Sequence, residues 1–205
     1  MRFLVTGGAG FIGSHIVEEL LRRKHAVRVL DNFSTGKREN LDFGSGIREL
    51  EILEGDIRDR DAVASAMSGV DGAFHEAALA SVPASVERPD LSFDINAGGT
   101  LNLFDEASKA RVRRVVYASS AAVYGDIPEM PLVETSLPRP QSPYGLDKLY
   151  GEHLGSLYQS LYGLEIFALR YFNVFGPRQD PKSPYSGVIS IFADQLSSGS
   201  TPTIF

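Results

Sequence analysis

The stretch VTGGAGFIGSH, residues 5–15, constrains this chain more than any other. It follows a short apolar run, RFLVT (2–6), and opens FIGSHIVEELLRRK (11–24). The second segment has apolar residues at 12, 16, 17, 20 and 21, which is helical spacing. Gly7, Gly10 and Gly13 therefore occupy a strand–turn–helix junction. One glycine there permits a tight turn, a second lets a phosphate group approach the backbone, and a third lets the helix pack against the strand. The N-terminus of the helix adds unpaired N–H groups and a partial positive charge suited to an anion.

The rest of the chain repeats the alternation. AVRVLD (26–31), LEILEGD (50–56), VDGAFHEAA (70–78), RRVVYASS (113–120) and LEIFALRYFN (164–173) read as strands. DRDAVASAMSG (59–69), LSFDINAGGTLNLFDEASKA (91–110) and YGLDKLYGEHLGSLYQSLYG (144–163) read as helices, the first opening on acids that suit a helix N-terminus. Alternation with short connections predicts an α/β protein. Its sheet is Rossmann-like, parallel and doubly wound, with helices on both faces and right-handed crossovers. After residue 173 the pattern loosens. GPRQDPKSPYSG reads as loop, VISIFADQLSS as helix and TPTIF as the start of a strand. We expect a first domain over 1–173 and the beginning of a small substrate-binding region over 174–205. A strand starting so late needs a partner downstream, so the chain reads as C-terminally truncated.

A length of 205 residues suits one domain with a small appendage. The net charge of −6 argues against a nucleic-acid partner. With no cysteine there is no disulfide framework and no thiolate metal site. His15, His25, His75 and His153 show no metal-ligand spacing, and His75 reads as a strand-end histidine with a satisfied hydrogen bond. No apolar run reaches membrane-spanning length and no cleavable leader is evident, so a soluble cytoplasmic protein is expected.

Asp31 ends the second strand about twenty residues beyond the glycine loop. An acid there accepts hydrogen bonds from a ribose 2′-hydroxyl and repels a 2′-phosphate, which favours NAD over NADP. Asp56 and Ile57 follow the third strand; Asp56 reads as a partner for the adenine amino group or as a solvated loop acid. Ala77 and Ala78 end the fourth strand, where small side chains leave room for a cofactor or simply pack closely.

YGLDK places Tyr144 and Lys148 four residues apart on a helix, on one face. A phenol ordinarily titrates near 10, too high for a base at neutral pH. An ammonium about 4 Å away at intermediate dielectric is worth about 4 kcal/mol, enough to lower that value by roughly one to three units after screening. Tyr144 is thus a candidate general base. Ser120 stands at the carboxyl end of a central strand, where open α/β sheets bind ligands, although a strand-end serine also serves as a turn or cap hydroxyl. Asn173 closes the sixth strand as a substrate contact or a turn residue.

Taken together, these residues resemble the extended short-chain dehydrogenase/reductase superfamily, and within it the NAD-dependent nucleotide-sugar 4-epimerases of the UDP-galactose kind. The resemblance rests on TGGAGFIGSH, DN at 31–32, GDIRD at 55–59, HEAA at 75–78, Asn96 before GT at 99–100, SSAAVYG, YGLDK and RYFNVFGPRQ, and covers essentially the whole chain. It implies Ser120, Tyr144 and Lys148 as the catalytic triad. It implies Gly7, Gly10, Phe11, Ile12, Asp31, Asn32, Asp56, Ile57 and Asn96 around NAD, and Asn173 on the substrate diphosphate; Gly13, Ala77, Ala78, Tyr144 and Lys148 complete the expected cofactor site. The implied reaction oxidises the 4-hydroxyl of a UDP-sugar and returns hydride to the other face of the 4-keto sugar. The substrate implied is UDP-glucose or UDP-galactose, with an N-acetylhexosamine or uronate counterpart as alternative, or a non-catalytic NAD-binding module if the chain is truncated. Relatives that eliminate water or decarboxylate carry an acid just after the strand-five serine; Ala121 and Ala122 stand there instead, which favours epimerisation. Relatives pair through the two long helices, here 91–110 and 144–163, so a homodimer is expected. Leu149, Leu157 and Leu161 are candidates for its apolar surface or for packing on the chain's own sheet.

Overall fold

Strand β1 (Arg2–Thr6) leads through the glycine turn into helix α1 (Phe11–Arg22), and β2 (Ala26–Asp31) follows. Then come β3 (Leu50–Glu54), α2 (Arg60–Met67), β4 (Gly72–His75) and two short helices, α3 (Val82–Glu87) and α4 (Pro89–Phe93). The chain continues through α5 (Gly99–Lys109), β5 (Arg114–Ser120), α6 (Pro143–Tyr162), β6 (Glu165–Tyr171) and α7 (Val188–Ser197). This computed structural model describes residues 1–43, 49–128, 130–180 and 188–202.

The six strands form one parallel sheet in the order β3-β2-β1-β4-β5-β6. The order reverses between β1 and β4, which opens a crevice beyond their carboxyl ends. The expected doubly wound sheet is therefore present. Side-chain alternation splits the core into two layers. Leu4 and Leu30 pack with Val63, Met67, Leu103, Phe104 and Tyr117 on one face, while Val5, Val27 and Val29 pack with Val17 and Leu20 on the other. Burial on both faces explains why β1 and β2 read as nearly continuous apolar runs.

Helix α6 shows why its boundaries were legible. The Ser142 hydroxyl accepts from the Gly145 N–H at 3.1 Å, Pro143 occupies the first turn, and Gly163 ends the helix in the left-handed region at φ 70°. A bidentate ion pair, Arg170 to Glu152 at 2.9 and 2.7 Å, ties the helix to β6, and Ser119 donates to the same carboxylate from β5.

The helix expected over 91–110 is present without a break, running from α4 through a π turn over Asp94–Gly98 into α5. A Cβ on Gly99 would lie 2.5 Å from Ile57 Cδ1, so the backbone runs against the loop after β3, and the Thr100 hydroxyl donates back to the Asn96 carbonyl. The helix expected after residue 187 is present as α7. The loop expected over 176–187 is described only to residue 180, and most of the strand expected over 201–205 lies outside the described residues. Among the described residues no helix is long and apolar enough to cross a membrane, and no acid, histidine or cysteine group could hold a metal ion.

Candidate active site

The glycine loop packs against the end of β4. Gly7 has φ +66°, and a Cβ there would lie 2.7 Å from the Ala77 nitrogen; a Cβ on Gly13 would lie 2.2 Å from the Gly7 carbonyl oxygen. Both positions exclude any side chain, the first by conformation as well as space. Gly10 precedes α1 without a side-chain cap, and among the described residues no side chain accepts from the first-turn N–H groups of Phe11 and Ile12. Asp31 is buried beside this turn. One carboxylate oxygen accepts from the Ala9 N–H at 2.9 Å and the other from the Phe33 N–H at 2.8 Å. A fixed carboxylate next to an uncapped helix start is a donor–acceptor set that fits a dinucleotide.

At the next strand end, the Arg58 guanidinium beside Asp56 holds its carboxyl well below the usual range, and Asn32 donates to it at 2.8 Å. Asp56 is thus neither free nor simply solvated. The Ile57 side chain lies in the core, 5% exposed, which leaves its backbone alone as a possible ligand contact. Asn96 also departs from expectation. Its carbonyl oxygen accepts from the Leu79 N–H at 2.8 Å, and its amide nitrogen donates to the Leu79 carbonyl and the Ser92 hydroxyl, each at 3.3 Å. At 2% exposure it clamps the loop after β4 instead of facing the crevice. Asn173 is exposed just beyond β6.

Ser120, Tyr144 and Lys148 converge as their spacing predicts. Ser120 Oγ accepts from the Ala122 N–H at 3.1 Å, which leaves its proton to donate, and its hydroxyl favours the phenolate of Tyr144. Ser120 thus caps the turn after β5. The Tyr144 backbone N–H donates to the Ser85 hydroxyl at 3.1 Å, which fixes the start of α6 over α3. Lys148 Nζ donates to the Ala118 carbonyl at 2.7 Å and lies 5.8 Å from the Tyr144 ring centroid.

The expected lowering of the Tyr144 pKa is not what this geometry produces. Burial pushes the phenol above its ordinary value, the Ser120 hydrogen bond opposes that, and the Glu76 carboxylate adds to it. Lys148 is itself stripped of water, and burial pulls it down to about 8. Its ammonium is moored on the Ala118 carbonyl.

His75 meets expectation: it is buried between the Thr6 hydroxyl at 2.8 Å and the Thr100 hydroxyl at 3.0 Å, and burial holds it neutral with a pKa of about 3. Several supporting residues were not foreseen. Ser85 anchors Tyr144, Asp147 accepts from Ser92 at 2.6 Å, and Glu76 meets Tyr171 above the sheet. Only Ser81-Val82-Pro83, a cap followed by proline, signalled α3 in the sequence.

The model of the NAD dependent epimerase/dehydratase family matches residues 3–205. The chain belongs to that family. Among its relatives, a putative UDP-glucose 4-epimerase of Methanocaldococcus jannaschii is 44% identical over 204 residues, covering 98% of this chain and 65% of that protein. A solved UDP-N-acetylglucosamine 4-epimerase from Methanobrevibacter ruminantium, in complex with UDP-N-acetylmuramic acid, superposes with a TM-score of 0.94 at 43% identity, covering 100% of this chain and 65% of that one. The Thermus thermophilus UDP-glucose 4-epimerase in complex with NAD gives 0.88 at 45% identity with the same coverage. The chain spans about 65% of the length of these family members.

Proposed function

We propose that this chain carries the dinucleotide-binding and catalytic part, residues 1–173, of an NAD-dependent UDP-sugar 4-epimerase that interconverts UDP-glucose and UDP-galactose. Residues 174–205 begin its substrate-binding region. The observation that carries the reading is the convergence of Ser120, Tyr144 and buried Lys148 at the carboxyl end of β5, two strands from the β1 that leads into the glycine loop.

The N–H groups of Phe11 and Ile12 would hold the pyrophosphate, Gly10 giving the close approach. Asp31 would accept from the ribose hydroxyls, with Asn32, Asp56 and the Ile57 backbone on the adenine side and Ala77 and Ala78 as the wall. When bound, NAD supplies the hydride acceptor. Tyr144 removes the proton from the sugar 4-hydroxyl, and Ser120 hydrogen-bonds the same oxygen. Lys148, in its ammonium form, opposes the cost of a buried phenolate. Asn173 would contact the substrate diphosphate. Ala121 and Ala122 form the turn that Ser120 caps and place no acid beside the oxidised sugar, which favours its reduction over elimination.

Similarity to a UDP-N-acetylglucosamine 4-epimerase supports a second reading, with an N-acetylated sugar as substrate. A panel of UDP-glucose, UDP-galactose and their N-acetyl and uronate counterparts, assayed with NAD, separates the readings. Turnover of the unsubstituted pair is expected; turnover confined to an N-acetyl or uronate sugar overturns the first reading, and clear NAD binding without binding of any UDP-sugar favours a non-catalytic module.

A homodimer through α5 and α6 belongs to the same proposal. Leu101, Leu157 and Leu161 are exposed on these helices, whereas Leu149 packs against Val123, Tyr124 and Ile127 of its own chain.

A further inference from the structure

The motif RYFNVFGPRQ, residues 170–179, runs past the end of β6, and beyond Asn173 the mechanism leaves it without a task. In the structure residues 172–180 form a strap. It leaves the edge strand β6 after Tyr171 and reaches α1, the helix that follows β1, with β4 and β5 lying between those two strands. Polar ties fasten its far end. The Arg178 guanidinium donates to the Ser14 hydroxyl at 3.3 Å and forms an ion pair with Glu18, both on α1. His15 Nε2 donates to the Pro177 carbonyl at 2.9 Å, and Lys37 pairs with Asp180 at 3.2 Å.

The Arg178 tie reaches the cofactor turn. Ser14 is fully buried, and its hydroxyl donates to the Phe11 carbonyl at 3.0 Å while it accepts from Arg178. Arg178 itself has φ +65°, a left-handed conformation that a long side chain rarely adopts. Such a backbone persists where contacts over-determine it. Here the contacts are the bonds to α1 and the seat of the guanidinium over the Phe43 ring, 5.5 Å from its centroid. The Gln179 N–H donates to the Gly176 carbonyl at 3.3 Å, which braces the strap from within. Asn173 is exposed, so its place is set by a backbone fixed on one side by β6 and on the other by Arg178.

We propose that Arg178 is a positioning residue for the substrate: by clasping Ser14 and Glu18 of α1, it seats the strap so that Asn173 meets the diphosphate of the nucleotide sugar beside the cofactor turn. The inference rests on the reading of Asn173 as a substrate contact. Arg178 acts through the backbone and is not itself the phosphate ligand. Its side chain is 24% exposed, and both terminal nitrogens of the guanidinium are engaged by α1. A strap released from α1 has to be ordered again each time the diphosphate binds, and that cost appears as lost affinity.

UDP titrated by calorimetry into the NAD-loaded protein supplies the diphosphate without turnover. Arg178→Met keeps much of the side chain's bulk and loses its bonds. It should weaken UDP binding about tenfold while NAD affinity stays within about twofold. Asn173→Ala should weaken UDP binding to a similar degree. The two losses should not add: in the Asn173→Ala background, Arg178→Met should cost less than about a further twofold, because it acts through Asn173. Additive losses, or unchanged UDP affinity in Arg178→Met, overturn the proposal. So does a parallel loss of NAD affinity, which is what a merely structural residue would produce.

Glu18→Gln loosens the same clasp from α1 and provides a second route should Arg178→Met not fold. It should weaken UDP binding in the same direction, and unchanged affinity contradicts the proposal. Failure of the functional reading looks different. If Asn173→Ala binds UDP as the parent does, or the parent binds none, the substrate contact is rejected and the positioning role with it. If Asn173→Ala weakens UDP binding and Arg178→Met does not, the role of Arg178 alone is rejected.

Discussion

Lys148 Nζ donates to the carbonyl oxygen of Ala118 at 2.7 Å, so the ammonium of helix α6 is moored to β5 two residues before Ser120. The lysine is 4% exposed. Its seat is dry, and its ammonium nitrogen lies 5.8 Å from the Tyr144 ring centroid. Lys148→Met should reduce turnover by roughly a hundredfold or more and move the acid limb of the kcat/KM profile to higher pH. A profile of unchanged shape would remove Lys148 from the proton-transfer account.

His75 should make the fold acid-sensitive. Burial, with a smaller effect from the Lys148 charge, takes its pKa from 6.5 down to about 3. A depressed folded-state value means that the unfolded chain binds the proton first. The contribution is complete above pH 6.5 and is lost as pH falls from 6.5 toward 3. In that window His75→Gln should flatten the pH dependence of stability by about 1.4 kcal/mol per pH unit relative to the parent. Parallel curves from urea melts of the two proteins would refute the assignment.

The Arg170–Glu152 pair is largely buried, with side chains 17% and 13% exposed. The Arg170 guanidinium, helped by the Ser119 hydroxyl, holds the Glu152 carboxyl below its ordinary value against the effect of burial. Glu152→Ala leaves the guanidinium without its partner and should destabilise the fold by about 3 kcal/mol in chemical denaturation. A loss below about 1 kcal/mol would place the pair among surface-like ion pairs.

Leu157 and Leu161 lie one turn apart on α6, 54% and 67% exposed. Replacing both with aspartate should yield a monomer by sedimentation, with the circular dichroism spectrum unchanged. A dimer that survives the double substitution would move the interface elsewhere.

Periodicity and punctuation located all six strands and the long helices because the signals were local. The 3.6-residue period marks α1, and Ser142, Pro143 and Gly163 bracket α6. The glycine loop was legible for the same reason: Gly7 and Gly13 tolerate no side chain in that turn. What escaped depends on neighbours distant in sequence. The π turn at Asp94–Gly98 carries no local signal, and the close approach of Gly99 to Ile57, some forty residues earlier, shows only in the folded chain. The resemblance implies Asn96 beside NAD, and in the structure Leu79 and Ser92 engage both ends of its carboxamide. The direction of the Tyr144 shift also escaped, because spacing places Lys148 beside it but does not show how little water reaches either group. Ser85 carries no motif of its own, and only the folded chain brings it to Tyr144.

The central claim is that Tyr144 is the base of an NAD-dependent UDP-sugar epimerisation. Its most direct test follows the conversion of UDP-galactose to UDP-glucose with NAD present, in the parent and in Tyr144→Phe, alongside NAD affinity measured by calorimetry. The account predicts that the variant loses turnover by roughly 10²- to 10⁴-fold while NAD affinity stays within about threefold. Full turnover in Tyr144→Phe would contradict it.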